Sequence, residues 1–349
     1  MWKKEFINLL FNSKDPSQLD ANKAKKLKFN NTPSSLFKYR TMDKKGHTLD
    51  LISEDKIYLS KPSNFNDPFD CALNITTKSM DNDYIREILS DYDLSILKRF
   101  NFTSKELYKL KKSKRFIHDI SKLYVKKIYP NYKKNLEKYN GLVNNLENKI
   151  MDSHLNLEKI KNHIYLTCFS EINDSILMWS HYTHNHEGIC IEYNFKELNF
   201  NNPLTRYTFP VIYSDNVLDF GEFLPNSNKE FENIMEKYMD GINPNDISDG
   251  LVLPEMSNNR NNMAIFAVAL NKSKDWDYEK EWRYILLHKT ALNPPKFIDV
   301  PKPKAIFLGA KINDINKEKI IEIGKKRNIN VYQMKLKLGT YFLESYQLI

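Results

Sequence analysis

The sequence predicts an α+β protein, a mixed or antiparallel sheet core interrupted by a helical insert. Short apolar runs of strand length, among them SLFKYRT, HIYLTCFS and GICIEYN, occur before residue 80 and again after residue 163. Between them the pattern changes, and apolar residues recur at helical spacing among many charges (Leu107, Leu110; Ile117, Ile120, Tyr124; Leu142, Leu146, Ile150). With 349 residues, 41% of them hydrophobic, the chain can bury a core without disulfides or metals.

Taken in order, residues 4–12 read as a short amphipathic helix within an N-terminal helical extension, 1–34. A strand follows at 35–41, a helix at 48–54 and a strand, KIYLS, ending at Ser60. KPSNFNDPFD is then a structured loop, because Asn and Asp bond their own backbone and Pro presets the turn. The helical insert is expected over 80–163, flanked by core segments 35–79 and 164–349. HIYLTCFS predicts a strand, SILMWSHYTHN a helix capped by Asp174 or Ser175, and GICIEYN and FPVIYS two more strands. Residues 216–262 are polar with one helix near 228–239, MAIFAVAL (263–270) reads as a buried helix, and YEKEWRYILLH (278–288) as a long strand. The tail predicts strand 305–308, helix 314–327 and strand 329–335.

Charge is unevenly spread. Residues 98–138 hold fourteen Lys or Arg against three acids, a net +11 where the whole chain nets +9. A near-neutral body with one basic, aromatic-interleaved segment suits a polyanionic partner, either a nucleic acid or an acidic protein. The alternative is a helical bundle with aromatic core and solvated lysines. Three widely spaced cysteines, with no CxxC pair, argue against a disulfide framework or thiolate zinc site. The apolar run Phe6–Phe11 is too short for a signal-peptide core, and no stretch of eighteen apolar residues occurs. The expected location is therefore the cytoplasm, with no membrane partner.

GxGxxG, Walker A and GxSxG are all missing, which removes the main support for Rossmann, P-loop and α/β-hydrolase readings. His181, His184 and His186 offer an HxxH spacing but no HExxH and no cysteine pair, so no metal site is assigned. Glu279 and Glu281, two residues apart on an expected strand, would point to one face. Their bland use is pairing with Lys280 or Arg283. That of Arg40 is a salt bridge to Asp43, Asp67 or Asp70.

The segments FNDPFD, CFS…MWSHYTHNHEGICIEY and KDWDYEKEWR resemble a bacterial family described as a domain of unknown function, over about 35–75 and 164–310. More distantly, Tyr39-Arg40, Cys168-Phe169-Ser170 and Glu279-Lys280-Glu281 resemble, in order and setting, the Arg–Ser–Glu type of ADP-ribosyltransferase. That likeness implies an ADP-ribosyltransferase-like sheet and a NAD-consuming enzyme that modifies a macromolecule, in the manner of a toxin or phage-defence effector. Under it, Glu281 stabilises the oxocarbenium ion, Glu279 activates the acceptor and Ser170 holds Glu281. Arg40 forks onto the pyrophosphate, with Tyr39, Ser60, Asn66 and Asp67 beside it, while Trp179, His181 and Tyr182 stack on a base or nicotinamide. Two other readings stay open: a non-enzymatic nucleic-acid or ligand-binding module, and a metal-dependent nuclease built on Asp67, Asp70, Glu279 and Glu281.

Overall fold

A computed structural model describes residues 2–11, 20–74, 102–113, 115–154, 164–219, 268–287 and 296–349. The chain opens with α1 (Trp2–Phe11), α2 (Ala21–Asn31), β1 (Ser35–Arg40), α3 (His47–Ser53), β2 (Lys56–Tyr58) and β3 (Leu73–Asn74). Three helices follow, α4 (Ser104–Lys111), α5 (Phe116–Ile128) and α6 (Leu136–His154). Next come β4 (Ile164–Ser170), α7 (Ile176–Tyr182), β5 (Ile189–Asn194), α8 (Pro203–Tyr207), β6 (Thr208–Pro210), β7 (Ile212–Ser214) and β8 (Leu218–Asp219). The last part holds β9 (Asn271–Ser273), β10 (Glu281–Leu287), β11 (Phe297–Asp299), β12 (Ala305–Leu308), α9 (Asp314–Arg327), β13 (Asn330–Leu336) and β14 (Leu343–Gln347).

Eight strands form one mixed sheet in the order β14-β13-β12-β5-β1-β4-β10-β6. Within this sheet β12 and β13 are the parallel pair, and α9 makes the crossover that parallel neighbours need. The fold class is therefore the α+β architecture expected. β4 shows why its sequence alternates so little: nearly every residue is buried, because both faces of the sheet are covered. On one face Leu36, Phe169, Ile191 and Trp282 pack with Ile52 of α3 and Ile320 of α9. On the other, Tyr39, Cys190 and Phe307 pack with Met178 and Trp179 of α7. Ser175, not Asp174, caps α7 by accepting from the Met178 amide.

Several expected elements shift. The N-terminal helices α1 and α2 pack against the sheet. Phe6, Leu9 and Leu10 are buried against Leu166, Phe209 and Ile285. The Lys28 amine of α2 donates to the Thr205, Arg206 and Thr208 carbonyls where α8 ends, so a buried cation satisfies carbonyls that have no helical partner. FPVIYS splits: β6 joins β10, and β7 pairs parallel with β9 instead. KIYLS also leaves the main sheet, since β2 pairs with β11 and only Ser60 bridges to Leu166. The helix near 228–239 and most of 263–270 lie outside the described residues. In the insert, α5 and α6 pack around Val125, Tyr139 and Val143. Among the described residues, no helix is long and apolar enough to cross a membrane.

The junction of β1 and β5 depends on a close backbone approach. A Cβ on Gly188 would sit 2.1 Å from the Arg40 carbonyl oxygen and 2.9 Å from Thr183 Cβ. Backbone cannot swing away as a side chain can. Gly188→Ala is therefore expected to destabilise the protein by about 1–3 kcal/mol. A lowered urea midpoint checks this, and an unchanged midpoint would show that the strands separate freely here.

Candidate active site

β1 pairs with β5 along all six of its residues but meets β4 only at Phe37 and Ser170. Beyond that point β1 and β4 part, and a pocket of about 160 Å³ lies where they separate. Phe37, Tyr39, Phe65, Phe169, Met178 and Tyr182 give it apolar walls, and Lys38, Lys272, Glu279 and Glu281 line it with charge. The Lys38 amine donates to the Cys168 carbonyl (2.8 Å), which holds it in the gap. Burial, with Arg40 nearby, brings its pKa down to about 8.

Beneath the pocket lies a buried ion cluster. Lys272 Nζ contacts Glu279 (2.5 Å), Glu281 (2.9 Å) and Asp70 (3.5 Å). Arg283 contacts Asp70 (2.7 Å) through Nη2, and Glu281 through both Nε (2.7 Å) and Nη2 (3.1 Å). Its Nη1 donates to the Ala269 carbonyl (2.9 Å). The side chains of all these groups are at most 4% exposed. Three carboxylates face two cations, so the cluster carries one negative charge when every group is ionised. Burying such a charge is costly, and one proton relieves it.

Glu279 is where that proton goes. Burial and the neighbouring Glu281 raise its pKa to about 7, against the opposing pull of Lys272 and Tyr182. Burial would raise Glu281 as well, but Arg283 and Lys272 hold it well below the usual carboxylate range. The Tyr182 hydroxyl donates to Glu279 Oε1 (2.5 Å), and the Glu281 amide donates to the Tyr213 hydroxyl (2.8 Å). Burial and Glu281 push the Cys168 thiol well above its ordinary pKa, which makes it a poor nucleophile.

The two glutamates reach the cluster by different backbone routes. Glu281 opens β10, but Glu279 ends a 3₁₀ helix, Lys274–Glu279, and Lys280 between them is left-handed at φ 47°. That turn, not strand alternation, brings both carboxylates to Lys272. Glu281 does pair with Arg283, as its bland use foresaw, but in full burial. Lys280 is exposed and pairs loosely with Asp277 (3.9 Å).

Two further expected contacts are different in the structure. Ser170 Oγ donates to the Glu279 carbonyl (2.7 Å) and accepts from the Ile172 amide (3.2 Å), so it anchors the turn and not the Glu281 carboxylate. Arg40 is not in this pocket. Its β5 partner is Ile189, on the face of Ile191 and Tyr193, whereas Glu281 pairs with Ser170 on the opposite face. Arg40 lines a separate cavity and forms no ion pair with Asp43, Asp67 or Asp70.

Of the remaining residues named from sequence, Tyr39, Asn66 and Tyr182 line the pocket. Tyr39 also donates to the Ile172 carbonyl (3.1 Å). Asp67 accepts from the Phe69 amide (2.8 Å) and shapes the loop. Among the described residues, Ser60 makes its backbone bridge to Leu166. Trp179 is fully buried and donates to the Asn173 carbonyl (2.7 Å), so its ring cannot stack on a ligand. His181 is exposed beside Trp276 and Tyr278, and His186 stacks on Trp179. Lys38, Lys272 and Arg283 were not singled out as site residues. One signal for Lys272 was available, a charge separated by one residue from the apolar run MAIFAVAL.

A divalent cation fits this cluster poorly, because Lys272 and Arg283 already occupy the space between the carboxylates. Among the described residues, no group of three or more His, Cys, Asp or Glu is arranged to hold a metal ion.

Fold and site together define an α+β protein with an aromatic-walled pocket over a proton-accepting ion cluster. Residues 178–284 match the model of a family described as a protein of unknown function, DUF2971. The match runs from α7 to β10 and takes in Tyr182, Lys272, Glu279, Glu281 and Arg283, while Lys38, Asp70 and Ser170 fall outside it. No curated protein and no solved structure matches the chain.

Proposed function

We propose that the protein is a glycosyl-transferring enzyme that consumes NAD, breaking the nicotinamide–ribose bond and passing ADP-ribose to a macromolecule. One observation carries this reading: two carboxylates whose protonation is driven apart lie at the floor of a ring-sized aromatic pocket. A cavity of about 150 Å³ accommodates a benzene ring. The pocket therefore takes the nicotinamide end, and the rest of the dinucleotide lies outside it. Lys38 supplies the cation for the phosphates, the part the sequence pattern gives to Arg40.

Glu279 is the working carboxylate. When ionised it stabilises positive charge developing on the ribose as the C1′–N bond breaks, and nicotinamide leaves with the bonding electrons. The acceptor then bonds to C1′ and its proton passes to Glu279. Both oxygens of Glu281 are engaged by cations, so its role is to set the Glu279 pKa. Three free cysteines, among them Cys168 at the pocket wall, fit a reducing cytoplasm.

Saturation of Glu281 also favours a second reading, a binding module that holds a ligand without turnover. Nicotinamide release from NAD by the purified protein separates the two. Release supports the enzyme, whereas NAD binding without release supports the module.

Under the first reading the basic insert recognises the acceptor. Lys109, Lys112, Lys133 and Lys134 are exposed on or beside its helices. Changing all four to Ser should flatten the salt dependence of single-stranded nucleic acid binding, by about 0.7 in log–log slope for each phosphate that is no longer neutralised. NAD hydrolysis in water should stay unchanged. An unaltered salt slope would mean that these lysines only solvate the bundle.

A further inference from the structure

We infer that Arg40 anchors a second ligand site, on the opposite face of the sheet from Glu281, and that it takes a mononucleotide. The cavity measures about 590 Å³ and lies between the end of β1, helix α3 and the small β2–β11 sheet. Arg40 is partly buried, and its Nη2, fully buried, has no hydrogen-bond partner. A guanidinium keeps its charge at any accessible pH, and burying it without an acceptor costs several kcal/mol. An anionic group entering from the cavity would complete it with paired, charge-assisted bonds.

The acids nearby do not serve that purpose. Asp43 lies close, but its oxygens accept from the Lys45, His47 and Thr48 amides. Glu54 pairs with Lys56 (3.1 Å). Asp50 is exposed on the cavity wall and is free to accept from sugar hydroxyls. The outer wall is a cross-strand aromatic pair. Tyr58 and Phe297 face each other in register, their ring centroids 5.7 Å apart, and are 39% and 47% exposed. Exposed aromatic faces held in place by a sheet are suited to stacking on a base. An amino acid could also offer a carboxylate and a ring, but it would leave most of 590 Å³ unfilled. A mononucleotide provides phosphate, hydroxylated sugar and base together.

Calorimetric titration of the full-length protein with adenosine monophosphate tests this, with adenosine, inorganic phosphate and phenylalanine as separate titrants. Adenosine and phosphate alone should each bind at least about 10-fold more weakly than the nucleotide. Arg40→Met should weaken nucleotide binding by about 10-fold or more, as expected when a charged hydrogen bond is removed. Tyr58→Ala, a change at an exposed side chain, should weaken it about 5-fold or more because the base no longer stacks. Glu279→Gln should leave it unaltered. If Arg40→Met fails to fold, Tyr58→Ala decides. The inference is overturned if wild-type protein does not bind the nucleotide or prefers phenylalanine. It is equally overturned if Tyr58→Ala binds as wild type does, or if binding is lost in Glu279→Gln.

Discussion

Arg283→Met should lower the melting temperature by roughly 5 °C, a large stability effect for a single change in a chain of this length. Arg283 is fully buried and neutralises Asp70 and Glu281 at 2.7 Å each. Methionine keeps much of the volume but leaves three buried carboxyl groups, Asp70, Glu279 and Glu281, sharing Lys272 alone. Removing one partner of a buried ionic group costs about 3–5 kcal/mol, mostly because the remaining charge stays in low dielectric. The loss should depend on pH in a definite direction. In the wild type, Arg283 and Lys272 keep Glu281 below its unfolded pKa, so Glu281 contributes stability that disappears only as pH falls through that low folded value. Without Arg283, burial raises Glu281 above its unfolded pKa, and the sign reverses: the variant regains stability as pH falls and Glu281 takes up a proton. Melting curves across pH 4–8 check both points. A variant as stable as wild type, or one that weakens further in acid, would show that Arg283 is not the counter-charge of this cluster.

Under the proposed function, Glu279→Gln should reduce NAD turnover by a factor of roughly 10²–10⁴ and abolish its pH dependence around neutrality. In the wild type Glu279 titrates near 7, so the ionised form that takes the acceptor proton accumulates as pH rises through that value. Activity should therefore climb from pH 6 to pH 8 and then level off. Glutamine keeps the shape and one acceptor oxygen for Lys272, with its NH2 turned to the Tyr182 hydroxyl, but cannot accept a proton. It also removes the surplus negative charge from beneath the pocket, so the variant should melt no lower than wild type at pH 8. That separates a catalytic loss from a folding defect. If Glu279→Gln keeps a rising pH profile, another group supplies the base. If wild type shows no turnover at any pH, the binding-module reading prevails.

Much of the fold was legible in the sequence, because strand and helix patterns are local. HIYLTCFS, GICIEYN and the tail strands 305–308 and 329–335 carry continuous apolar runs, and the structure places β4, β5, β12 and β13 there. The α7 cap, the helical character of the insert and the mixed sheet follow from equally short-range signals. Side-chain direction was less secure where the backbone departs from a regular element. Glu279 and Glu281 meet at Lys272, yet by way of a left-handed Lys280 that period-two alternation does not foresee.

Residue types and order, set by the sequence alone, supplied an α+β chain, a basic segment and a pair of glutamates beside an arginine. Tertiary structure decided which of those residues share a site. Asp70 and Arg283 are bonded although 213 positions apart, and no local pattern encodes that contact. Arg40 looked like part of the same constellation because motif order says nothing of sheet face. The register of β1 against β5 turns it to the far side, where it lines a different cavity. The Glu279 pKa likewise belongs to no sequence motif. It arises from burial and from Glu281 alongside, against the pull of Lys272 and Tyr182, and only packing brings those groups within reach of one another.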